Sequence, residues 1–376
     1  MKKRVLSFVF LALFILSIIP AVNLKIGNAQ KQVGKKWWSS SVLFNIDFAL
    51  PFLSRILYPF GISIDPHQVI IGKNGWLYLG DMQQNTITLK RRGATAEDRK
   101  TAQRIGLAIK SWERWLRHKG VRLYRVMLAP DKETIYQEFL PGWAMAIPDS
   151  ATNALLDNVG QELYMDLRAA LRAAKSQFSE PLYYRTDSHW NALGAWVAFR
   201  AFTLRVDDTE NGLQWLSEQQ IRLKVGPFRW GDLSNLLRMP GRIEESTVRI
   251  EIVSDHPIES ELYDFETGHL NASGDITHKI GYPERPVVVK SKHALNRKRV
   301  LWLLDSFGLE MIRFMTATFT ETLIFPYGST NPNRFAQMVD RFKPDYVFMT
   351  VVERIALDKY FENLPPTMAV SAPADR

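Results

Sequence analysis

The chain contains no cysteine. Disulfide staples, thiol nucleophiles and lipid attachment at a cysteine are therefore excluded. Acidic residues are missing from the first 36 positions, which hold Lys2, Lys3, Arg4, Lys25, Lys31, Lys35 and Lys36; the first acid is Asp47. Those seven charges leave only +2 of the formal +9 for the remaining 340 residues. A nearly neutral body lacks the basic face that nucleic acid requires, so no nucleic-acid partner is expected. Two local basic clusters, Lys90-Arg91-Arg92 and Lys290 to Arg299, read as solvated loop charge.

Charge is also absent from Val5 to Leu24, directly after the basic start. Residues 5–22 are mostly apolar, which suits either an export signal or an uncleaved anchor. The run is long for a cleaved signal and just long enough to cross a bilayer. Gly27-Asn28-Ala29 offers a small-x-small cleavage site. We favour residues 1–25 as a signal anchor, with the basic residues cytoplasmic and the body on the periplasmic face of the inner membrane. A cleaved signal, leaving a periplasmic protein, is the alternative.

What is present supports a large packed domain: 46% of the 376 residues are hydrophobic. Residues 26–64 read as an irregular, aromatic-rich lead-in with Trp37, Trp38, Pro51 and Pro59. In residues 70–79 two apolar runs flank Asn74-Gly75, a hairpin signal. A helix is expected from Thr101, with Ile105, Ile109, Trp112 and Leu116 on one face and Gly120 as its stop. A strand over 121–129 follows. Leu155, Val159, Leu163, Leu167 and Leu171 recur every fourth residue and predict one amphipathic helix between 149 and 175. A short strand at 182–184 and a helix over 192–204 come next.

Residues 205–297 are polar and turn-rich, and read as an insertion with β character. After it the pattern resumes with strands at 300–304, 321–325 and 346–352, and helices at 309–317 and 332–342, the latter entered through Asn331-Pro332. Alternating strands and helices imply an α/β fold with a parallel sheet covered on both faces. The expected catalytic unit spans 65–365, with the Pro-containing tail, 366–376, disordered.

Two segments can carry chemistry. In Arg185-Thr186-Asp187-Ser188-His189-Trp190-Asn191, extended backbone puts Asp187 and His189 on the same side. The carboxylate can then orient the imidazole, the base-and-orienter half of an acyl-transfer triad. Equally, Asp187 or Ser188 can cap the next helix while His189 is merely packed. The second segment is Leu304-Asp305-Ser306-Phe307-Gly308, where a hydrophobic strand delivers a serine to a turn opening a helix. Free N–H groups there can stabilise an oxyanion, and Gly308 would relieve crowding. Here too Asp305 or Ser306 can simply be a helix cap.

Together the segments resemble the SGNH hydrolase-like O-acetyltransferases of exopolysaccharide biosynthesis, the alginate-acetylation (AlgJ/AlgX-like) type. Members pair an Asp-x-His-Trp-Asn motif, here 187–191, with a later Asp-Ser-Phe/Tyr, here 305–307. The likeness extends to 72–80, 129–136, Gly231-Asp232-Leu233 and 351–354, and so covers roughly 65–360. The motif order is reversed from that of ordinary SGNH esterases, and Leu304 stands where many SGNH proteins have glycine. The resemblance implies Ser306 as nucleophile, His189 as base and Asp187 as its orienter, with Lys132, Tyr136 and Arg354 as weaker substrate-binding candidates. It implies no metal and no cofactor, a polysaccharide acceptor, and an acetyl donor supplied through a multi-pass membrane O-acyltransferase. Gly328 and Asn331 are the candidates for the oxyanion hole. Two alternatives stand beside the acetyltransferase reading: a carbohydrate esterase with the same triad, or a non-catalytic polysaccharide-assembly subunit, against which the intact Asp187, His189 and Ser306 count.

Overall fold

The computed structural model describes residues 2–25, 36, 38–147, 150–206, 212–254, 259–276 and 280–366. Gln30, where a cleaved chain would start, and the tail from Thr367 lie outside them. One helix, Lys2–Lys25, carries a stretch long and apolar enough to cross a membrane, Val5–Lys25.

Strands β1 (Val69–Ile71) and β2 (Leu77–Leu79) form the hairpin expected from Asn74-Gly75. Both turn residues adopt positive φ, 55° and 73°, the geometry that Asn-Gly favours. The chain then enters the helix Ala96–His118, starting five residues before Thr101. A capping box between Thr95 and Asp98 moves the start, satisfying N–H groups that apolar periodicity does not report. Next come β3 (Leu123–Ala129) and β4 (Tyr164–Asp166), then β5 (Ile221–Phe228) and β6 (Glu245–Ile252). The remaining strands are β7 (Ser260–Asp264), β8 (Leu270–Gly274), β9 (Val287–Ser291), β10 (Asn296–Leu304), β11 (Phe319–Pro326) and β12 (Tyr346–Val352).

Eight of these strands make one sheet in the order β4-β3-β12-β10-β11-β9-β7-β8. The first five run parallel, as a βα rhythm requires. Along β10, Val300, Trp302 and Leu304 enter one hydrophobic core while Leu301 and Leu303 enter the other. A strand buried on both faces reads as a continuous apolar run, and 300–304 does.

Three expectations need correction. The wholly parallel sheet is a mixed one: β9, β7 and β8 join its edge antiparallel, while β5 and β6 pair only with each other. Part of 205–297 thus builds the sheet. The single helix of 149–175 is two helices, Ala151–Val159 and Arg168–Ala174, with β4 between them. Gly160, at φ 81°, ends the first, and Tyr164 then registers against Val126 of β3. At 182–184 there is one bridge, between Tyr183 and Trp190, instead of a strand. The lead-in also has order, with helices Ser40–Leu43 and Leu50–Leu57.

Candidate active site

The parallel strands β3, β12 and β10 end side by side, and the loops after them meet at one edge of the sheet. At the end of β10, Asp305 supplies the cap that the turn needs. Its Oδ1 accepts from the Phe307 N–H at 2.9 Å and its Oδ2 from the Val352 N–H at 2.6 Å. That leaves the Ser306 hydroxyl uncommitted to capping. The helix after the other motif is capped by Asn191, whose Oδ1 accepts from the Leu193 and Gly194 N–H groups. Asp187 and His189 are spared in the same way.

These three side chains form one relay. His189 Nδ1 lies 2.7 Å from Asp187 Oδ1, and His189 Nε2 lies 2.8 Å from Ser306 Oγ. Both distances are hydrogen-bond lengths, although His189 and Ser306 are 117 residues apart. Trp190 ties the two segments together: its indole N–H donates to the Phe307 carbonyl at 2.9 Å, and the ring packs edge-on against Phe307.

Gly308 leaves room for the Leu304 side chain. A Cβ on Gly308 would lie 2.8 Å from Leu304 Cβ and 3.0 Å from the Trp302 ring. The room that the leucine takes is room that Gly308 leaves. The turn itself is a 3-10 helix, Ser306–Met311, and its Phe307 and Gly308 N–H groups bond to Asp305. Those two donors are spent, so this turn offers fewer free N–H groups than expected. Asn331 is spent too, capping Pro332–Phe342 through a bond from the Arg334 N–H. Gly328 lies just beyond β11, at the same sheet end as Ser306.

Asp232 completes the His189 loop. Its carboxylate accepts from the Ser188 N–H at 2.7 Å and the Ser188 hydroxyl at 2.5 Å, and its own N–H donates to Asp187 Oδ2 at 2.9 Å. Its Oδ2 stands 3.8 Å from His189 Nδ1. Sequence reasoning met Asp232 only as part of a family likeness, because its partners lie 44 or 45 residues away. Glu245 acts alongside it, accepting from the Arg185 and Thr186 N–H groups. Gly231 must be glycine here, since a Cβ would sit 2.1 Å from the Thr186 carbonyl oxygen.

Burial places two of the weaker candidates behind the site and not on its surface. Lys132 is 1% exposed, and its ammonium donates to the carbonyls of Tyr184, Arg185 and Asp187. Tyr136 is buried with its hydroxyl accepting from the Leu182 N–H. Both hold the loop from behind and have no surface for a sugar. Arg354 pairs with Asp131 and lays its guanidinium over Phe307. It also borders a cavity of about 560 Å³ whose wall includes Lys90, Asp166, Arg168 and Arg172 but not Ser306 or His189.

The family model for the SGNH hydrolase-like domain of acetyltransferase AlgX matches residues 69–262, just over half of the chain. The chain belongs to this family. Membership in the AlgX acetyltransferase family makes the protein an O-acetyltransferase. Among curated proteins, none matches the sequence. Among solved structures, Bacillus cereus PatB1 with a sulfonyl adduct superposes with a TM-score of 0.58 at 14% identity, over 79% of this chain and 100% of that chain. A DHHW family protein from Eubacterium siraeum gives 0.54 at 16% identity, over 81% of this chain and 97% of that one. At such identities the likeness is one of fold.

Electrostatics in this AlgX-family site favour a basic imidazole. Burial acts to lower the His189 pKa, but the hydrogen bond and charge of Asp187, aided by Asp232, outweigh it and hold the group above its ordinary value. Burial likewise resists ionisation of Asp187, and the same bond to His189 overcomes it and keeps that carboxyl below its usual range. Burial pulls the Lys132 ammonium down to about 8 against the nearby carboxylates. Asp187, His189 and Asp232 bring ligand atoms within 4.8 Å of one another, a spacing that a metal ion can also use. His189 Nδ1 is already matched to Asp187, however, and Nε2 to Ser306.

A pH profile follows. A serine needs neutral imidazole to take its proton, so turnover is lost as pH falls through the raised His189 pKa. Removing the Asp232 charge removes support for imidazolium. Asp232→Asn is therefore expected to move the acid limb of kcat/KM down by about 0.5–1 pH unit, given water-like screening of a charge 3.8 Å away. An unmoved limb would show that Asp232 does not act on His189.

Proposed function

We propose that the protein transfers acetyl groups to hydroxyls of an exopolysaccharide through an acyl-enzyme on Ser306. The observation that carries this reading is the Asp187–His189–Ser306 relay at bonding distance within a family of acetyltransferases. Ser306 Oγ attacks the donor carbonyl while His189 Nε2 takes its proton. Asp187 holds Nδ1–H in place and offsets the charge of the imidazolium. The proton passes from Nε2 to the leaving group as the C–O bond to the donor breaks. An acceptor hydroxyl then gives its proton to Nε2 and attacks the Ser306 ester; Ser306 Oγ leaves and is reprotonated from His189.

In this reading residues 65–365 are the catalytic unit and Val5–Lys25 is an uncleaved anchor, its basic flank cytoplasmic. The body then works on the periplasmic face, where an integral membrane acyltransferase supplies activated acetyl. The test is acetyl transfer from a chromogenic acetyl ester to oligosaccharide acceptors, with mass spectrometry of the products. Acetylated sugar in excess of free acetate is expected. Free acetate alone, across uronate and neutral acceptors, would make the protein a carbohydrate esterase.

A further inference from the structure

The helix Leu50–Leu57 is inverted relative to a helix of a water-soluble surface. It buries Ser54, whose hydroxyl donates to the Leu237 carbonyl at 2.5 Å, and it exposes Phe52, Leu53 and Ile56. A surface helix ordinarily turns its apolar stripe inward. The exposed set continues on both sides through Phe44, Ile46, Phe48, Phe60 and Ile62, with Phe52 at 64% and Phe60 at 74% exposure. A run of exposed apolar side chains of this kind marks an interaction surface.

Chain continuity says what covers it. Asn23, two residues from the end of the apolar helix, donates through its amide to the carbonyls of Leu43 and Asn45, at 2.8 and 2.7 Å. If that helix spans a membrane, the segment 43–45 is held at the lipid headgroups, beside the point where the helix emerges. From residue 25 to 62 the sequence sets Lys25, Lys31, Lys35, Lys36 and Arg55 against one acid, Asp47, and includes Trp37, Trp38 and Tyr58. Cations with Trp, Tyr and Phe are the composition that settles in an anionic bilayer interface.

We infer that residues 44–62 lie on the outer surface of the membrane that the N-terminal helix crosses, with Phe44, Phe52 and Phe60 inserted among the lipids. This rests on the anchor reading above and adds a second, surface contact to it. The contact fixes orientation, because the inner side of the platform is tied to the body. Ser54 bonds to Leu237, and Tyr58 packs against the cluster of Val69, Leu77, Leu79 and Leu233. Leu233 directly follows Asp232 in the chain. The active-site edge is thereby held at a set height over the bilayer instead of swinging on a tether.

The absence of native cysteine makes the test clean. Single cysteines are introduced as Phe52→Cys, Phe60→Cys, Leu13→Cys and, on a distant exposed site, Leu204→Cys. Each full-length chain is spin-labelled and placed in nanodiscs of anionic phospholipid, and collision with oxygen is compared with that of a water-soluble nickel chelate. Labels at 52 and 60 should favour oxygen at least several-fold over the label at 204. Nickel access at 52 and 60 equal to that at 204 overturns the inference. Protection from both reagents there also overturns it, because a second copy or another protein then covers the patch. The label at 13 reports the anchor separately: lipid access at 13 with water access at 52 removes the platform and leaves the anchor standing.

Discussion

Replacing Ser306 with alanine is expected to lower acetyl turnover by on the order of 10⁴- to 10⁶-fold while leaving the fold unchanged. The hydroxyl is half-buried and, among the described residues, bonded to the His189 side chain alone, so its loss frees no core polar group. His189→Ala should fall in the same range, because a serine without a base is a poor nucleophile at neutral pH. Asp187→Ala should be about ten- to a hundredfold less severe, since its part is to orient the ring and offset its charge. The double variant His189→Ala/Ser306→Ala should be no worse than either single one, because the residues act as a unit. Steady-state kinetics on a chromogenic acetyl ester, with thermal melting as the fold control, reads all four. Additive losses would mean that His189 and Ser306 do not share a step.

The largest expected effect on stability lies behind the triad. Lys90, expected from the sequence to be solvated loop charge, is instead buried and contacts Asp131 at 3.1 Å, Glu353 at 3.0 Å and the Thr134 hydroxyl at 2.9 Å. Glu353 also accepts from the Thr152 hydroxyl and the Asp131 N–H, so the network joins the ends of β3 and β12 beneath the site. Lys90→Met strips the buried Glu353 of its ion pair and leaves Asp131 with Arg354 alone, and should cost about 3–5 kcal/mol, read as a fall in Tm. Its acid sensitivity should change as well. Burial resists ionisation of Glu353, yet the Lys90 charge with the Thr134 and Lys90 hydrogen bonds holds its pKa at about 2. With a depressed folded-state pKa, this group contributes stability that is complete above its unfolded value and lost as pH falls through about 2. Without Lys90 the loss should move into mildly acidic pH. Adding Glu353→Gln should recover part of the deficit, whereas a further full loss would mean that the pair is not coupled.

The triad was legible because its members sit in short segments with local logic. An i, i+2 carboxylate and histidine share a side, and a serine follows a fully apolar strand. What periodicity left open, cap or catalytic group, was decided by neighbours: Asn191 and Asp305 took the capping positions. The strands at 300–304, 321–325 and 346–352 were legible from short, largely apolar runs, whereas the polar residues 296–299 that open β10 carried no such signal. The helix–strand–helix of 151–174 was not, since leucines every fourth residue mimic one helix and only Gly160 signals the break. The antiparallel edge is joined to the sheet through pairings of β9 with β7 and β11, across about 23 to 37 residues, which no local pattern encodes. Asp232 and Glu245 reach the His189 loop from 44 and 59 residues away, so their parts emerge only with the tertiary fold.

The most direct test of the central claim is to find where the acetyl group rests between donor and acceptor. The protein is mixed with an activated acetyl ester in the absence of sugar, quenched in acid within the first turnover, digested and mapped by mass spectrometry. The account predicts one acetyl group on the peptide containing Ser306, absent from Ser306→Ala and discharged when an acceptor oligosaccharide is added before the quench. Acetyl transfer to sugar with no acetyl ever found on Ser306, or with equal transfer by Ser306→Ala, would contradict it.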